Sequence, residues 1–279
     1  MIDLHTHSTF SDGSFTPEQL AGAASHIGLT AIALTDHDSI GGIDRFLAAC
    51  RKQEVRGIPG VEISLDFPDG TMHLLGYFID HHNEALTRHI AKLVAGRKHR
   101  NQEILKQVNA MGMPLTLNEV AAYAGEDNVG RLHFAQALVA RGYVRTRDEA
   151  FKKYLAKGKP GYADRSRMTP AEGVAIISNA GGLAVLAHPF TLHLGKQALA
   201  KLVGELARAG LQGIEVFYPQ QGPKLMKEYC ALARQFNLVA TGGTDFHGAP
   251  MPDIQLGSGF GNLNVPESIL EELDARRAP

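Results

Sequence analysis

The sequence predicts an α/β fold in which parallel strands alternate with crossover helices, as in a barrel or a doubly wound sheet. Seven short runs rich in Ile, Val, Leu and Ala have the length and composition of buried strands. Helical stretches separate most of these runs. Two of the helices begin with a Thr-Pro-x-Gln/Glu capping pattern, at Thr16 and at Thr169.

The predicted strands lie near both ends of the chain. They cover residues 2–5, 31–35, 57–63, 72–79, 183–187, 213–217 and 238–242. The connection between the third and fourth strands differs from the others, because the Pro and the Asp-Gly of residues 65–70 are typical of a hairpin loop. We therefore expect a tight turn there and crossover helices elsewhere.

The middle of the chain shows no strand signal. Apolar residues recur at helical spacing from Glu84 to Met111, and further helical stretches follow as far as Leu155. The sequence therefore predicts a helical insertion at residues 83–168, inserted into an α/β domain that is formed by residues 1–82 and 169–279.

Composition narrows the classes of function. The chain of 279 residues is long enough for a full core. Its 28 basic and 29 acidic residues give a net charge of −1, which argues against binding of long nucleic acid or a membrane through a global field.

Cys50 and Cys230 lack the spacing of metal-binding or redox-active cysteines, and no run approaches the ~20 apolar residues of a membrane span. We expect a cytoplasmic protein without a disulfide. Nothing in the sequence indicates a protein partner.

Residues that ligate metals recur at the ends of the predicted strands. His5 and His7 are two positions apart at the end of the first strand, so both imidazoles face the same side. Asp12 follows in the loop after the same strand, and six further candidates lie at or near other strand ends: His37, Glu62, His73, His188, Asp245 and His247. The catalytic groups of parallel barrels collect at the carboxyl ends of the strands. Burial of nine such groups without a cation would be costly, so we predict a site for two or three divalent ions.

The donor types restrict the metal without fixing it. Only nitrogen and oxygen donors are present, which allows zinc or iron, and manganese is favoured. Asp36 and Asp38 flank His37 and are candidates for orienting its neighbours. A helix N-cap is the alternative role for Asp38.

Six motifs resemble those of the PHP (polymerase and histidinol phosphatase) family of the amidohydrolase superfamily. They are Asp3-Leu-His-x-His-Ser-x-x-Ser-Asp-Gly13, Thr35-Asp-His-Asp38, Gly60-x-Glu-Ile63, His73-Leu-Leu-Gly-Tyr77, Ala187-His-Pro189 and Thr244-Asp-Phe-His247. The resemblance implies a distorted seven-stranded (β/α) barrel, similar to a TIM barrel, with a trinuclear site. It further implies three ligand sets: His5, His7, Glu62 and Asp245; Glu62, His73 and His188; and Asp12, His37 and His247.

The implied chemistry is phosphoester hydrolysis. Two neighbouring cations lower the pKa of a bound water and hold phosphoryl oxygens. We expect attack by a metal-bound hydroxide that Asp245 and Glu62 position, with His193 as the acid. The segment Gly130-Arg131-Leu132-His133-Phe134-Ala135 resembles a segment of insertion-bearing relatives in which Arg and His approach the substrate phosphate. A second polar loop adds three candidate substrate contacts, Lys159, Tyr162 and Arg165, and His193 lies just beyond the fifth strand.

The leading hypothesis is a phosphatase that removes the 3′-phosphate of a nucleoside 3′,5′-bisphosphate and leaves a 5′-monophosphate, with the insertion covering this small nucleotide. Three alternatives stay open: a 5′-3′ exonuclease on short oligonucleotides, a histidinol-phosphate phosphatase, and a non-catalytic PHP module. The complete set of nine ligand-type residues argues for activity.

Overall fold

The strands of the computed structural model form one sheet. The structure describes residues 1–68, 70–124, 129–164 and 167–277, and within them seven strands lie in chain order across the sheet. The strands are β1 (Ile2–Asp3), β2 (Ala31–Leu34), β3 (Arg56–Ser64), β4 (His73–Tyr77), β5 (Leu183–Leu186), β6 (Gly213–Phe217) and β7 (Val239–Gly242). A bridge between Thr6 and Phe246 brings the first and last strands together, so the barrel is nearly closed. The predicted fold class is confirmed.

β4 is the strand that departs from the parallel pattern. β1 to β3 and β5 to β7 are parallel, whereas β4 is antiparallel to both of its neighbours. The predicted hairpin accounts for the first reversal, because a short loop can join only antiparallel strands. Ser64 at the end of β3 pairs with His73 at the start of β4. The reversal therefore places His73 at the edge where the parallel strands end.

Helices flank the barrel strands. They are α1 (Pro17–His26), α2 (Ile43–Lys52), α7 (Pro170–Asn179), α8 (Lys196–Arg208), α9 (Pro223–Gln235) and α10 (Ser268–Asp274), and a short 3₁₀ helix covers Pro189–Leu192. Both predicted capping boxes are present: the Thr16 side chain accepts from the Gln19 amide, and that of Thr169 accepts from the Glu172 amide. These contacts satisfy amide groups that the first helical turn leaves unpaired.

Residues between β4 and α7 fold as helices, as the periodicity predicts. They form α3 (Glu84–Ala110), α4 (Leu117–Ala121), α5 (Arg131–Ala140), α6 (Arg147–Ala150) and a π-helical turn (Phe151–Leu155). α3 joins two cores: Leu86 and Ile90 pack into the barrel core, whereas Ile104 and Val108 pack into a separate helical core. This 27-residue helix thus packs against the barrel with its first half and against the helices of the insertion with its second half.

Both cysteines are free, and Cys50 is buried. Across the described parts of the chain, none of the helices has the length and apolar character needed to cross a bilayer.

Candidate active site

Glu62 lies at the centre of a buried cluster at the carboxyl end of the barrel. Its side chain is fully buried at the end region of β3. Five histidine nitrogens lie 2.7 to 3.3 Å from its two oxygens: His5 Nε2, His7 Nε2, His37 Nδ1, His73 Nδ1 and His188 Nε2. The carboxylate therefore has the position of a group that bridges more than one ion.

Asp245, in the segment after β7, faces the segment after β1. Its Oδ1 lies 3.3 Å from His5 Nε2 and 3.0 Å from His7 Nε2. One donor atom from each of His5, His7, Glu62 and Asp245 falls within 4.8 Å of the others. This group has the same members as the first expected ligand set.

Asp12 organises the outer part of the cluster. Its carboxylate lies 3.2 Å from His247 Nε2, 3.8 Å from His37 Nε2 and 3.9 Å from His7 Nδ1. These four residues form a second compact group, and His37, Glu62 and His73 form a third. His188 Nε2 lies 3.0 Å from Glu62 Oε1, the oxygen that His73 Nδ1 also approaches. All nine candidate ligands therefore converge, with His7, His37 and Glu62 shared between neighbouring groups.

The donor atoms fit divalent cations. Six of them are buried and have no partner with hydrogen-bond geometry among the described residues: His5 Nε2, His7 Nε2, Asp12 Oδ1, Glu62 Oε2, His73 Nδ1 and Asp245 Oδ1. Each lies 2.7 to 3.3 Å from a nitrogen or oxygen of another candidate ligand, without hydrogen-bond geometry. For an ion held at about 2.1 Å, neighbouring donors are about 3.0 to 3.4 Å apart. The distances between the donor atoms of the cluster are therefore close to those around one bound ion.

The electrostatics of the protein atoms alone show how strongly the cluster attracts positive charge. Burial lowers the pKa of His7, but Asp245 and Glu62 outweigh it and raise the pKa to about 10. Burial raises the pKa of Glu62, but the surrounding histidines outweigh it and hold the pKa well below its ordinary value. The pKa of His73 is lowered to about 4, mainly by burial, so this imidazole is neutral, as a metal ligand must be.

Two residues that the sequence did not single out hold the ligands in place. Glu215 on β6 is fully buried, accepts from His5 Nδ1 at 2.9 Å and accepts from the His188 amide at 2.7 Å. In a neutral imidazole, the first contact keeps the proton on Nδ1 and leaves Nε2 to face the cluster. Tyr218 donates its hydroxyl to Asp245 Oδ2 at 2.8 Å. A carboxylate in the middle of an apolar strand was the signal for Glu215.

The acidic neighbours of His37 have different roles. Asp36 accepts from the Ser8 and Ser11 hydroxyls at 2.6 Å each, and so fixes the loop between His7 and Asp12. Asp38 accepts from the Ser64 amide at 2.9 Å and pairs with Arg97 of α3. The N-cap alternative for Asp38 is wrong, because the residue that precedes α2 is Gly42.

Three of the seven described non-glycine residues that have a positive φ lie at the cluster. Asp38, His188 and Asp245 have φ values of 49°, 25° and 56°, in a region that residues with a side chain adopt at a cost of about 1 to 3 kcal/mol each. The surrounding hydrogen bonds hold these conformations. Such strain is typical of positions whose side chains must point at a fixed centre.

A cavity of about 640 Å³ opens above the cluster. Asp12, His37 and His73 line one side of it. Cationic side chains of the insertion line the other side: Arg97, Arg100, Arg131, Lys157 and Arg167. We call this set the cationic wall. Two carboxylates, Asp66 and Asp164, also line the cavity. An anionic ligand in this cavity would contact the cluster and the wall together.

The structure places the predicted substrate contacts in different surroundings. His133, Tyr162 and His193 line the cavity together with Arg131. Lys159 does not; it is exposed and lines a separate surface hollow, and Lys157 takes its place at the cavity. The remaining predicted contact, Arg165, lies outside the described residues.

Arg131 and His133 are held at the start of α5. The Arg131 guanidinium lies 5.5 Å above the Tyr162 ring and donates to the Leu155 carbonyl at 3.4 Å. Burial lowers the pKa of this guanidinium, although its ordinary value is so high that it stays charged. His133 Nδ1 accepts from the Gly130 amide at 2.9 Å, so Nε2 is the nitrogen that can donate.

A nearly closed barrel with a buried histidine and carboxylate cluster, facing a cationic wall, defines a metal-dependent hydrolase of anionic esters. Comparison with known proteins agrees. The chain matches the PHP domain over residues 3–162. The chain belongs to the PHP domain family, and it is a metal-dependent phosphoesterase.

Relatives within this family carry different names. The chain is 36% identical to the 5′-3′ exoribonuclease Rnm of Escherichia coli, over 92% of this chain and 88% of the relative. It is 32% identical to the 3′,5′-nucleoside bisphosphate phosphatase of Chromobacterium violaceum, over 99% of this chain and 97% of the relative. An amidohydrolase structure from Chromobacterium violaceum, with bound sulfate and no metal, has a TM-score of 0.88 at 32% identity and covers 99% of this chain and 96% of its own.

Proposed function

We propose that this chain removes the 3′-phosphate of a nucleoside 3′,5′-bisphosphate and leaves a nucleoside 5′-monophosphate. The observation that carries the proposal is the cavity of about 640 Å³ with the donor cluster on one side and the cationic wall on the other. A bisphosphate has two anionic groups, one for each side. The nearly full-length similarity to the Chromobacterium violaceum bisphosphate phosphatase supports this choice.

Three ligand sets would hold the ions, with manganese as the metal that we expect first: His5, His7, Glu62 and Asp245; Glu62, His73 and His188; and Asp12, His37 and His247. When bound there, such ions supply an acidified water and positive charge for the phosphoryl oxygens. The protein side chains do the rest. Glu62 and Asp245 supply the negative charge that retains the ions, and Tyr218 fixes Asp245 through its 2.8 Å hydrogen bond.

Substrate binding is the task of the cavity walls. Arg131 presents a planar fork, held over Tyr162, that can donate two parallel hydrogen bonds to the 5′-phosphate. His133 Nε2 is a further donor on the same side. His193 is exposed at the cavity and would give its ring proton to the leaving 3′-oxygen. The helical insertion, residues 83–168, acts as a separate substrate-covering unit of a cytoplasmic enzyme.

Exoribonuclease activity from the 5′ end is the second candidate. The 36% identity to Rnm over 92% of the chain favours it. The same cluster would then act on a phosphodiester, and the cationic wall would hold the 5′-phosphate of a short RNA. A net charge of −1 gives long nucleic acid no global attraction, so short oligonucleotides are the substrates of this alternative.

A substrate panel after metal exchange tests both candidates. Protein treated with chelator should release no phosphate and should melt at a lower temperature, because ions bound only to the folded state stabilise it by mass action. Manganese, zinc and iron are then added back separately. Each sample is given a 3′,5′-bisphosphate, a 3′-monophosphate and a 5′-phosphorylated trinucleotide. Fastest turnover of the bisphosphate supports the phosphatase, and fastest release of mononucleotides from the trinucleotide supports the exonuclease. Full activity in metal-free protein would contradict both.

A further inference from the structure

A second hollow, of about 830 Å³, reaches the donor cluster from another direction. It lies between the loops that follow β1 and β7 and the helices of the insertion. Asp12 lines both the hollow and the cavity described above. A ligand whose reacting group lies beside Asp12 can therefore extend into either space.

The hollow presents polar atoms that need a partner. Thr9 Oγ1 and Gln136 Oε1 are buried, and neither meets a hydrogen-bond partner in the described parts of the chain. Buried polar groups in folded proteins are nearly always satisfied by protein, water or ligand. The Tyr123 ring borders the same hollow and is 44% exposed, although it is one of the largest apolar side chains of the protein. The hollow thus combines an amide, a hydroxyl and an uncovered aromatic ring.

Its charge differs from that of the first cavity. Arg147 also lines the hollow, and its Nη1 donates to the Pro250 carbonyl at 3.1 Å across the gap between insertion and barrel. Asp12, which lines both spaces, offsets this single cation in the hollow. The cationic wall, by contrast, lines the other cavity. Phosphate groups are therefore favoured there, and an uncharged, flat, polar group is favoured in the hollow.

The barrel side of the hollow is held in place. The Ser14 amide donates to the His247 carbonyl at 2.9 Å, and the Ser14 hydroxyl accepts from the Ala249 amide at 2.9 Å. A Cβ on Gly248 would lie 2.2 Å from Ser14 Oγ, so the two loops approach as closely as glycine allows. The wall next to Asp12 is therefore fixed relative to the cluster, as a subsite that positions a substrate must be.

We propose that this hollow binds the nucleobase of the substrate, with Gln136 and Thr9 hydrogen-bonding to the base edge and Tyr123 stacking on its face. The inference rests on the proposed function and adds to it, because it makes the base a determinant of specificity. An amide can pair with the donor and acceptor edge of a base, as Gln does with adenine. Aromatic rings stack on any base, since every base has a π face.

The test compares substrates with and without a base. Wild type and variants are assayed on adenosine 3′,5′-bisphosphate and on ribose 3,5-bisphosphate, which has the same phosphates and no base. The ratio of the two kcat/KM values should fall about tenfold or more in Gln136→Ala and in Tyr123→Ala. Gln102→Ala is the matched control, because Gln102 is exposed on α3 and borders neither space; its ratio should equal that of wild type. Equal losses on both substrates would overturn the proposal.

A binding measurement separates this proposal from the proposed function. Adenosine 5′-monophosphate and ribose 5-phosphate are titrated into the manganese-loaded protein by calorimetry, which needs no turnover. Adenosine 5′-monophosphate should bind about tenfold more tightly or better, and Tyr123→Ala should remove most of this difference; its ring is exposed enough that folding should survive. Equal affinities would refute the base subsite even if bisphosphates are hydrolysed. A base-dependent affinity without any phosphate release would retain the subsite and refute the phosphatase.

Discussion

The donor cluster and the cationic wall face each other across one cavity, but the chain builds them differently. The cluster comes from strand ends, its histidines and Glu62 are largely buried, and buried residues such as Glu215 and Asp36 fix it. The cationic wall comes mostly from helices and loops of the insertion, and its side chains are half-buried or exposed, apart from the buried Arg100. The backbone of Asp245 in the cluster also has a strained, positive φ of 56°.

This difference separates chemistry from specificity. A rigid barrel edge suits ions whose donors must be placed to within a fraction of an ångström. An insertion that joins the barrel through α3 can vary its side chains without moving those donors. Variants of the cluster should therefore affect every substrate alike, whereas variants of the wall should discriminate between substrates.

Asp245→Asn should give the largest effect. The change keeps the shape of the side chain but removes the charge that an ion needs, so turnover of every phosphoester should fall by about a thousandfold or more. Circular dichroism should show an intact fold. Steady-state kinetics together with metal analysis checks the prediction, and an Asn variant with full metal content and wild-type kcat would remove Asp245 from the site.

Arg131→Ala should distinguish substrates. Loss of a bidentate contact should lower kcat/KM for a 3′,5′-bisphosphate by about 30-fold to 1,000-fold, corresponding to about 2 to 4 kcal/mol. The matching 3′-monophosphate lacks the group that Arg131 holds and should be affected much less. Arg131→Lys should recover part of the loss, as a point charge without the fork.

Arg234→Ala is the control for this variant, because Arg234 is exposed on α9, away from the cavity. Equal losses on bisphosphate and monophosphate would mean that Arg131 contacts the reacting phosphate or supports the fold. A variant with wild-type kinetics on both substrates would make Arg131 a residue of the cavity wall without a binding role.

The cluster was predictable from sequence, whereas of the wall only Arg131 was, for a physical reason. Ends of neighbouring barrel strands must meet at one edge, so a motif such as His5-Thr6-His7 locates its side chains without knowledge of packing. A helix has no such constraint. Arg97 looks like any other polar residue of a 27-residue helix, and only the packing of α3 brings it to Asp38.

Loops gave the weakest predictions. Lys157 and Lys159 are two residues apart in one polar loop, and the conformation of that loop alone decides that Lys157 lines the cavity and Lys159 does not. The second reversal of β4, against β5, also had no local signal, because the long insertion separates these strands in sequence. Glu215 was visible as a charge within an apolar strand, but its partners were not.

Tyr218→Phe should weaken metal binding by the cluster, with a smaller effect than the two substitutions above. It removes one hydroxyl, which donates to Asp245 Oδ2 at 2.8 Å. Loss of such a supporting hydrogen bond should weaken metal affinity about 10-fold to 100-fold. Competition with a chelator measures this change. Tyr143→Phe is the matched control, since its hydroxyl donates to the Pro114 carbonyl within the insertion. Equal metal affinity in Tyr218→Phe and wild type would contradict a supporting role.

The pH dependence of the metal-free protein should show its effect on stability and not on turnover. The pKa of His7 is raised from 6.5 to about 10, so between these pH values the folded state keeps a proton that the unfolded chain has lost, and stability falls as pH rises. The pKa of His73 is lowered to about 4, so between pH 4 and 6.5 the unfolded chain binds the extra proton, and stability rises with pH. The lowered pKa values of Asp12, Glu62 and Asp245 act in the same direction on the acid side.

The free energy of unfolding of chelated protein should therefore be greatest near pH 6.5, with a slope of about 1.4 kcal/mol per pH unit for each proton involved. Urea titrations from pH 5 to 9 measure it. His7→Gln should flatten the alkaline side, because the proton that His7 keeps is gone. Manganese should stabilise the wild type most at alkaline pH, since an ion then takes the place of protons that are no longer available. A free energy of unfolding that stays constant from pH 6.5 to 9 in metal-free wild type would contradict the prediction. It would show that the carboxylates of the cluster do not hold a proton on His7.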